Sequence, residues 1–319
     1  MDYTNFGTAG VKVSRIALGL GLRGQSDESK AQHLVEHAIE KGITFIDCAN
    51  IYGPMDDRAN IGRSEIVVGK ALTGKRDRVV LTSKVCSSIG TDPNDRGTSA
   101  YHIHREIENS LRRLNTDHLD VYLVHSYDEG TPHEETIRAL DDVVRSGKTR
   151  YVGCCNYNAW QVCRGLWISD TTKSSSYICV QNPYSLLNRS LEREMFGLIR
   201  DRGLGAMAYG PLAVGLLSGA YKPGETPSSD TIWGAGRLGD YVKATSGAAG
   251  ETMTTLFDIA NELDKTPAQV AIAWILSHDE ITCAISGADN TGQIDDVIGS
   301  VGWKLPDELR DRLNTVSAI

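Results

Sequence analysis

Four residues of this chain have the chemistry to manage a proton at a reacting oxygen: Asp47, Tyr52, Lys84 and His125. Asp47 closes the apolar run from Ile43, Lys84 follows the run Val79 to Ser83, and His125 follows the run Leu119 to Val124. Tyr52 stands five residues after Asp47, in a short segment bounded by Gly53. Each alone has an ordinary explanation, a satisfied core partner or an ion pair at a rim. Together they make a set. When hydride reaches a carbonyl carbon, negative charge develops on the oxygen, and a nearby donor must supply a proton. A phenol with a normal pKa of about 10 can do so if that value is lowered. The ammonium of Lys84 favours phenolate, so the expectation is a lowered pKa for Tyr52. Asp47 would hold Lys84 through a charged hydrogen bond, and His125 would orient the carbonyl and stabilise its charge. In the reverse direction Tyr52 becomes the base. As zinc ligands, Asp47 and His125 lack a third partner at a characteristic spacing.

Such residues need elements that deliver them to one place. The segment Tyr3 to Ile16, with Gly7 and Gly10, reads as a β-hairpin. After it, apolar strands alternate with helices of 3.6-residue periodicity. The strands are Ile16–Leu20, Ile43–Asp47, Val79–Ser83, Leu119–Val124, Thr149–Cys154, Tyr177–Val180, Leu204–Ala208 and Ile281–Ile285. Their continuous apolar character suits parallel strands covered on both faces. Between them the spacing predicts helices over Ser29–Lys41, Ser64–Leu72, Tyr101–Leu114, His133–Ser146, a stretch after Ala159, and Leu191–Asp201. Helices over Thr252–Glu262, from Thr266, over Gln293–Ile298 and over Asp307–Leu313 follow. Thr266, Pro267 and Gln269 form a capping box with proline at the first helical position. A Gly-, Pro- and Ser-rich stretch of about Pro211 to Gly247 is long enough to be a lid or binding loop. The fold expected is therefore α/β, a (β/α)₈ TIM barrel with an N-terminal β-hairpin and a C-terminal helical and loop extension, as a single domain over 1–319. A doubly wound sheet is the rival, but Gly19, Gly21 and Gly24 have the wrong spacing for a GxGxxG phosphate loop. A barrel places its site at the C-terminal ends of its strands, where these four residues fall.

Composition narrows the partners. With 33 Lys plus Arg against 41 Asp plus Glu, the net charge of -8 gives no support to nucleic-acid or anionic-membrane binding. No apolar run approaches the roughly 18 residues of a membrane span, and the first ten residues carry no apolar signal region, so a cytoplasmic chain is expected. The seven cysteines lack a CxxC pair and mostly sit in apolar segments, as buried free thiols do. Cys154 and Cys155 are adjacent and in a strand would point to opposite faces.

At this point the chain resembles the aldo-keto reductase family. The segment Gly42 to Gly53, containing Asp47 and Tyr52, is similar to the family's first signature, Leu81-Thr82-Ser83-Lys84 to its lysine strand, and Leu111 to Leu114 with Leu119 to His125 to the segment ending in its histidine. The resemblance implies a barrel without a Rossmann domain, an extended nicotinamide cofactor, no metal and direct hydride transfer. Asn156 and Gln181 carry both donor and acceptor groups, as recognition of a carboxamide requires. The resemblance strengthens that reading and adds Cys155, which stands where serine is usual. It also assigns Tyr209 to stacking on the nicotinamide, and Pro211, Leu212, Gly215 and Leu217 to the loop over the pyrophosphate. Gly287, Asp289 and Gln293 go to the adenosine end. Aspartate at 289, where many relatives have Arg or Lys, would repel a 2′-phosphate and accept hydrogen bonds from a free ribose. Of NAD(H) and NADP(H), the expected preference is thus NAD(H).

The substrate is expected to be a small carbonyl or alcohol, an aldehyde, ketone, sugar or other secondary alcohol, with Ile51, Ile89, Tyr157 and Trp233 around its reacting group. Trp233 either stacks on a flat substrate or anchors the long loop, the second having slightly more weight. A different class stays open: a cofactor-binding regulatory subunit or redox sensor with low turnover, since one fold serves several functions. Oligomeric state is not readable.

Overall fold

The computed structural model describes residues 1–22, 25–54 and 57–318; Gly24, of the glycine cluster above, lies outside them. Strands β1 (Tyr3–Asn5) and β2 (Lys12–Ser14) form an antiparallel hairpin. Eight parallel strands then close a barrel in chain order: β3 (Ile16–Gly19), β4 (Phe45–Asp47), β5 (Val80–Val85), β6 (Leu119–Val124), β7 (Thr149–Cys155), β8 (Tyr177–Pro183), β9 (Gly205–Tyr209) and β10 (Cys283–Gly287), with β10 paired back to β3. The connecting helices are α1 (Glu28–Glu40), α2 (Arg63–Ala71), α3 (Ala100–Leu114), α4 (His133–Arg145), α5 (Ala159–Thr172) and α6 (Met195–Arg202). After β9 come α7 (Leu238–Ala244), α8 (Ala248–Glu262) and α9 (Pro267–Leu276), and after β10 come α10 (Thr291–Ile298) and α11 (Asp307–Val316). This is the (β/α)₈ barrel expected, with its hairpin and C-terminal helices.

The two faces of each strand feed two cores. Inside the barrel, Ala17, Phe45, Val121, Leu123, Cys155, Cys179, Met207 and Cys283 pack on one another. Outside, residues such as Leu18, Ile46, Leu81, Tyr122, Cys154 and Val180 meet the helices. Both faces are therefore apolar, which is why the strands read as runs rather than as alternation. Cys154 and Cys155 fall on opposite sides, as the pleat requires.

The hairpin closes the bottom of the barrel. Phe6 and Val13 enter the interior core, and the Phe6 ring meets Phe45 edge-on at 5.0 Å. Gly7 permits the approach: its φ is +58°, and a Cβ there would lie 2.4 Å from the backbone nitrogen of Gly205.

Strand ends differ from expectation at the mouth. β5 continues through Lys84 to Val85 and β8 through Gln181 to Pro183, because their backbones stay paired with β6 and β9 through these residues, while the polar side chains at this end bond to one another inside the barrel. The segment after Leu191 divides into a 3₁₀ turn (Ser190–Glu192) and α6. The long loop carries structure of its own, a 3₁₀ turn at Leu216–Ser218 and the short helix α7. Few turns and Gly239 make α7 a weak signal in sequence. The capping box of α9 is present, and the Thr266 hydroxyl and Gln269 amide also donate to Asp296 on α10.

Replacing Gly7 with alanine should destabilise the protein by about 2 kcal/mol or more, combining left-handed strain with overpacking. A lowered urea midpoint with unchanged slope is the expected result.

Candidate active site

The C-terminal ends of β4, β5 and β6 bring Asp47, Lys84 and His125 together, and the loop after β4 folds Tyr52 over them. Lys84 is fully buried and uses all three of its N–H donors. They go to Asp47 Oδ2 at 2.7 Å, the Cys48 carbonyl at 2.8 Å and Tyr52 Oη at 3.2 Å. The phenol oxygen thus accepts from a cation and keeps its own proton to donate. His125 Nε2 lies 3.5 Å from Tyr52 Oη, with the rings edge-to-face at 5.6 Å. Asp47 Oδ1 accepts from Thr82 at 2.8 Å and from the Gln181 amide at 2.9 Å, so its carboxylate cannot swing away.

The electrostatics correct one expectation. The Tyr52 pKa is raised, not lowered, to about 12: burial outweighs the pull of Lys84, and the Asp47 charge opposes that pull further. Tyr52 is a neutral phenol across ordinary pH. Burial works to lower the Lys84 pKa, but the charge of Asp47 wins and holds it well above the usual range. Burial, followed by Lys84, depresses His125 to about 3, so its imidazole is neutral. Its Nδ1 faces the Ser87 hydroxyl at 3.4 Å.

Around this centre Asn156 stands at the rim in a left-handed conformation, φ +59°, which asparagine tolerates. Its nitrogen donates to the His125 carbonyl at 2.8 Å and its oxygen accepts from Tyr209 at 2.8 Å. An amide has two N–H groups and two lone pairs, so beyond these two bonds it has one further donor and one further acceptor position. Tyr209 is thereby fixed in orientation. The segment after it is strained: Ala213 and Val214 have φ of +47° and +57° ahead of Gly215 at +87°. Pro211 and Leu217 are buried there, Leu212 is partly buried, and the Leu217 N–H closes the turn on the Leu212 carbonyl at 3.1 Å. At β10, Gly287, Asp289 and Gln293 are exposed; the Gln293 side chain accepts from the Asp289 N–H at 2.7 Å.

The other expected contacts have partners within the protein. Cys155, the last residue of β7, is fully buried beside Gln181, and burial pushes its thiol pKa up. The Gln181 nitrogen is committed to Asp47. Tyr157 is 2% exposed and packs against Tyr127, His133 and Tyr177, so it presents no wall to a substrate. Trp233 is also buried; its Nε1 donates to the Val214 carbonyl at 3.0 Å and Arg237 covers its ring at 4.8 Å. It anchors the long loop, the weightier of its two readings. Ile51 and Ile89 are partly exposed. Thr82 and Ser87 were missed. Thr82 is two residues before Lys84 on one strand and so on the same face, a signal that alternation carried; Ser87 had none.

A (β/α)₈ barrel with a proton-handling cluster at its mouth is the class of fold and site here, and the comparisons place it among oxidoreductases. The aldo/keto reductase family model matches residues 15–318, and the chain belongs to that family. Among its relatives, the uncharacterised oxidoreductase YrpG of Bacillus subtilis is 35% identical over 99% of this chain and 96% of its own length. A versiconal hemiacetal acetate reductase of Aspergillus parasiticus is 32% identical over 97% of this chain and 95% of its own length. A probable voltage-gated potassium channel subunit beta of Arabidopsis thaliana is 32% identical over 94% and 91%.

The depressed His125 pKa predicts acid sensitivity. Above pH 6.5 both folded and unfolded chains hold this ring neutral and its stability contribution is complete; as pH falls towards 3 the unfolded chain takes the proton first. Relative to His125→Gln, which does not titrate, the wild type should lose up to about 1.4 kcal/mol per pH unit over that window. Urea titrations at successive pH values will show it as a converging, then crossing, pair of stabilities.

Proposed function

We propose that the whole chain, 1–319, works as one catalytic domain that interconverts an aldehyde or ketone with its alcohol by direct hydride transfer. In reduction Tyr52 gives its proton to the developing alkoxide. The observation that carries this is the Tyr52 oxygen accepting from Lys84 while its own proton stays available, beside a neutral imidazole. A bound nicotinamide supplies or removes the hydride. As the proton leaves, the buried Lys84 charge stabilises the phenolate, and Asp47 keeps that charge in place. His125, neutral, can donate from Nε2 to the substrate oxygen and so orient it. In oxidation the transfer runs in reverse, and Tyr52 must first lose its proton before it can take the alcohol's, a step its raised pKa opposes.

Asn156 would hold the carboxamide, Tyr209 would face the ring, and the strained turn at 213–215 would cover the phosphates. The exposed carboxylate of Asp289 supports a preference for NAD(H), because it would repel a 2′-phosphate but accept from ribose hydroxyls. Ile51 and Ile89 would give the substrate an apolar flank. Sugars and other secondary alcohols suit an NAD-linked oxidation, in a cytoplasmic setting. A second reading, a cofactor-binding regulatory subunit with little turnover, draws on the relative named as a channel subunit beta. Tight partner binding without turnover would favour it, but the complete set of proton-handling groups weighs for catalysis.

Tyr52→Phe should remove nearly all turnover in a screen of carbonyls and alcohols while leaving cofactor affinity in place; near-normal turnover would take Tyr52 out of this role. Asp289→Arg should move preference towards NADP(H), read by parallel fluorescence titrations of both cofactors. Tighter NADP(H) binding by the wild type would reject the NAD preference.

A further inference from the structure

Behind Tyr52, between α2, α3 and the barrel, lies a buried polar cluster that the proton chemistry does not use. Asn50 stands two residues before Tyr52 and is fully buried. Its backbone N–H donates to the Lys84 carbonyl at 3.3 Å, and its side-chain nitrogen donates to Glu106 Oε2 at 3.0 Å. Glu106, on α3, is fully buried too. Next to it, Glu65 on α2, also fully buried, accepts from the Ser83 hydroxyl at 2.5 Å, and Ser83 is the strand neighbour of Lys84. A single guanidinium, Arg113, joins the two carboxylates, with Nε 2.5 Å from Glu65 and Nη2 3.8 Å from Glu106.

Arg105 approaches Glu106 as well, Nε to Oε1 at 3.7 Å, and burying carboxylates against such cations is a poor way to gain stability, since an apolar core of equal volume often serves as well or better. What the arrangement does is mechanical. One carboxylate grips the loop that carries Tyr52; the other grips the strand that carries Lys84. The Tyr52 loop is also held by backbone bonds to β5 and within itself, by the Ser64 N–H of α2 on the Tyr52 carbonyl at 3.2 Å, by Lys84 on the Cys48 carbonyl and the Tyr52 hydroxyl, and by the Cys48 thiol against Ser64; Asn50 is the residue of this loop whose side chain reaches α3.

We propose that Glu106 is a positioning residue, holding Tyr52 in register with Lys84 and His125 through Asn50. The inference rests on the reading of Tyr52 as proton donor. Loss of this bond lets the loop drift, and a misplacement of about 1 Å costs about 100-fold in rate.

Four variants of the full chain test it: Asn50→Ala, Glu106→Leu, Glu106→Gln and the Asn50→Ala/Glu106→Leu pair. Turnover is measured with each, together with cofactor affinity and the ¹⁹F line of 3-fluorotyrosine placed at position 52. Asn50→Ala and Glu106→Leu should lower kcat by about 10- to 100-fold with cofactor Kd unchanged, and should shift or broaden the line. Glu106→Gln keeps an amide oxygen for Asn50 and should restore both kcat and line. The pair should be no worse than its worse single member, because both remove one bond. Losses that multiply, a Glu106→Gln as damaged as Glu106→Leu, or an unmoved kcat and line in Asn50→Ala would each overturn the proposal. If Glu106→Leu does not fold, the milder Asn50→Ala decides alone. The ¹⁹F line needs no turnover: a line that responds as expected in a protein that reduces nothing would keep the clamp and reject the proton role of Tyr52.

Discussion

A lysine ammonium with no exposed surface is held at the mouth of this barrel by one carboxylate. Left alone, such a charge would cost several kcal/mol to bury and would shed its proton instead. Asp47 at 2.7 Å prevents that, and Asp47 is itself restrained by Thr82 and Gln181. From this pair the rest follows. With two of its donors spent on Asp47 and the Cys48 carbonyl, Lys84 has one left, and that one points at the phenol. The same positive charge, added to burial, keeps the nearby imidazole neutral. A network of this kind tolerates little rearrangement, because each unmade bond in a dry site leaves a charge or polar group unsatisfied.

Much of this was legible in the residues themselves. Strand and helix order followed from apolar runs and capping signals, down to the Thr266–Gln269 box. Asp47, Lys84 and His125 stood out because charge at the end of an apolar strand is conspicuous. What could not be read were outcomes that depend on competing magnitudes or distant partners. The Tyr52 pKa is a contest between a favourable cation and desolvation, and only burial decides it. Tyr157 and Trp233 are aromatic residues in loop-like surroundings, yet both turn inward to pack. Gln181 had donors and acceptors suited to a ligand, but its nitrogen finds Asp47, which is 134 positions away in sequence. Composition and spacing carry no information about such pairings.

The mouth of the barrel divides labour between rigid and yielding parts. The strand ends set the reacting groups, while the rim is built from residues in uncommon backbone conformations, Asn156 and the run Ala213, Val214 and Gly215. Left-handed φ at alanine and valine is costly, so that turn stores strain at the rim. Trp233 pins the outer part of the same long loop to the Val214 carbonyl.

The stopper formed by Phe6 and Val13 has a consequence for the sulfur chemistry of the chain. Six of the seven cysteines are buried, and Cys155, Cys179 and Cys283 line the interior column between that stopper and the ion pair. With both ends of the column filled, alkylating reagents and peroxide reach these sulfurs only when the barrel opens. Cys163 is exposed on the outer surface, so its labelling does not depend on such opening. The labelling of these hidden thiols therefore reports opening of the barrel, as the opening rate when reagent outpaces reclosing and as the open population when it does not.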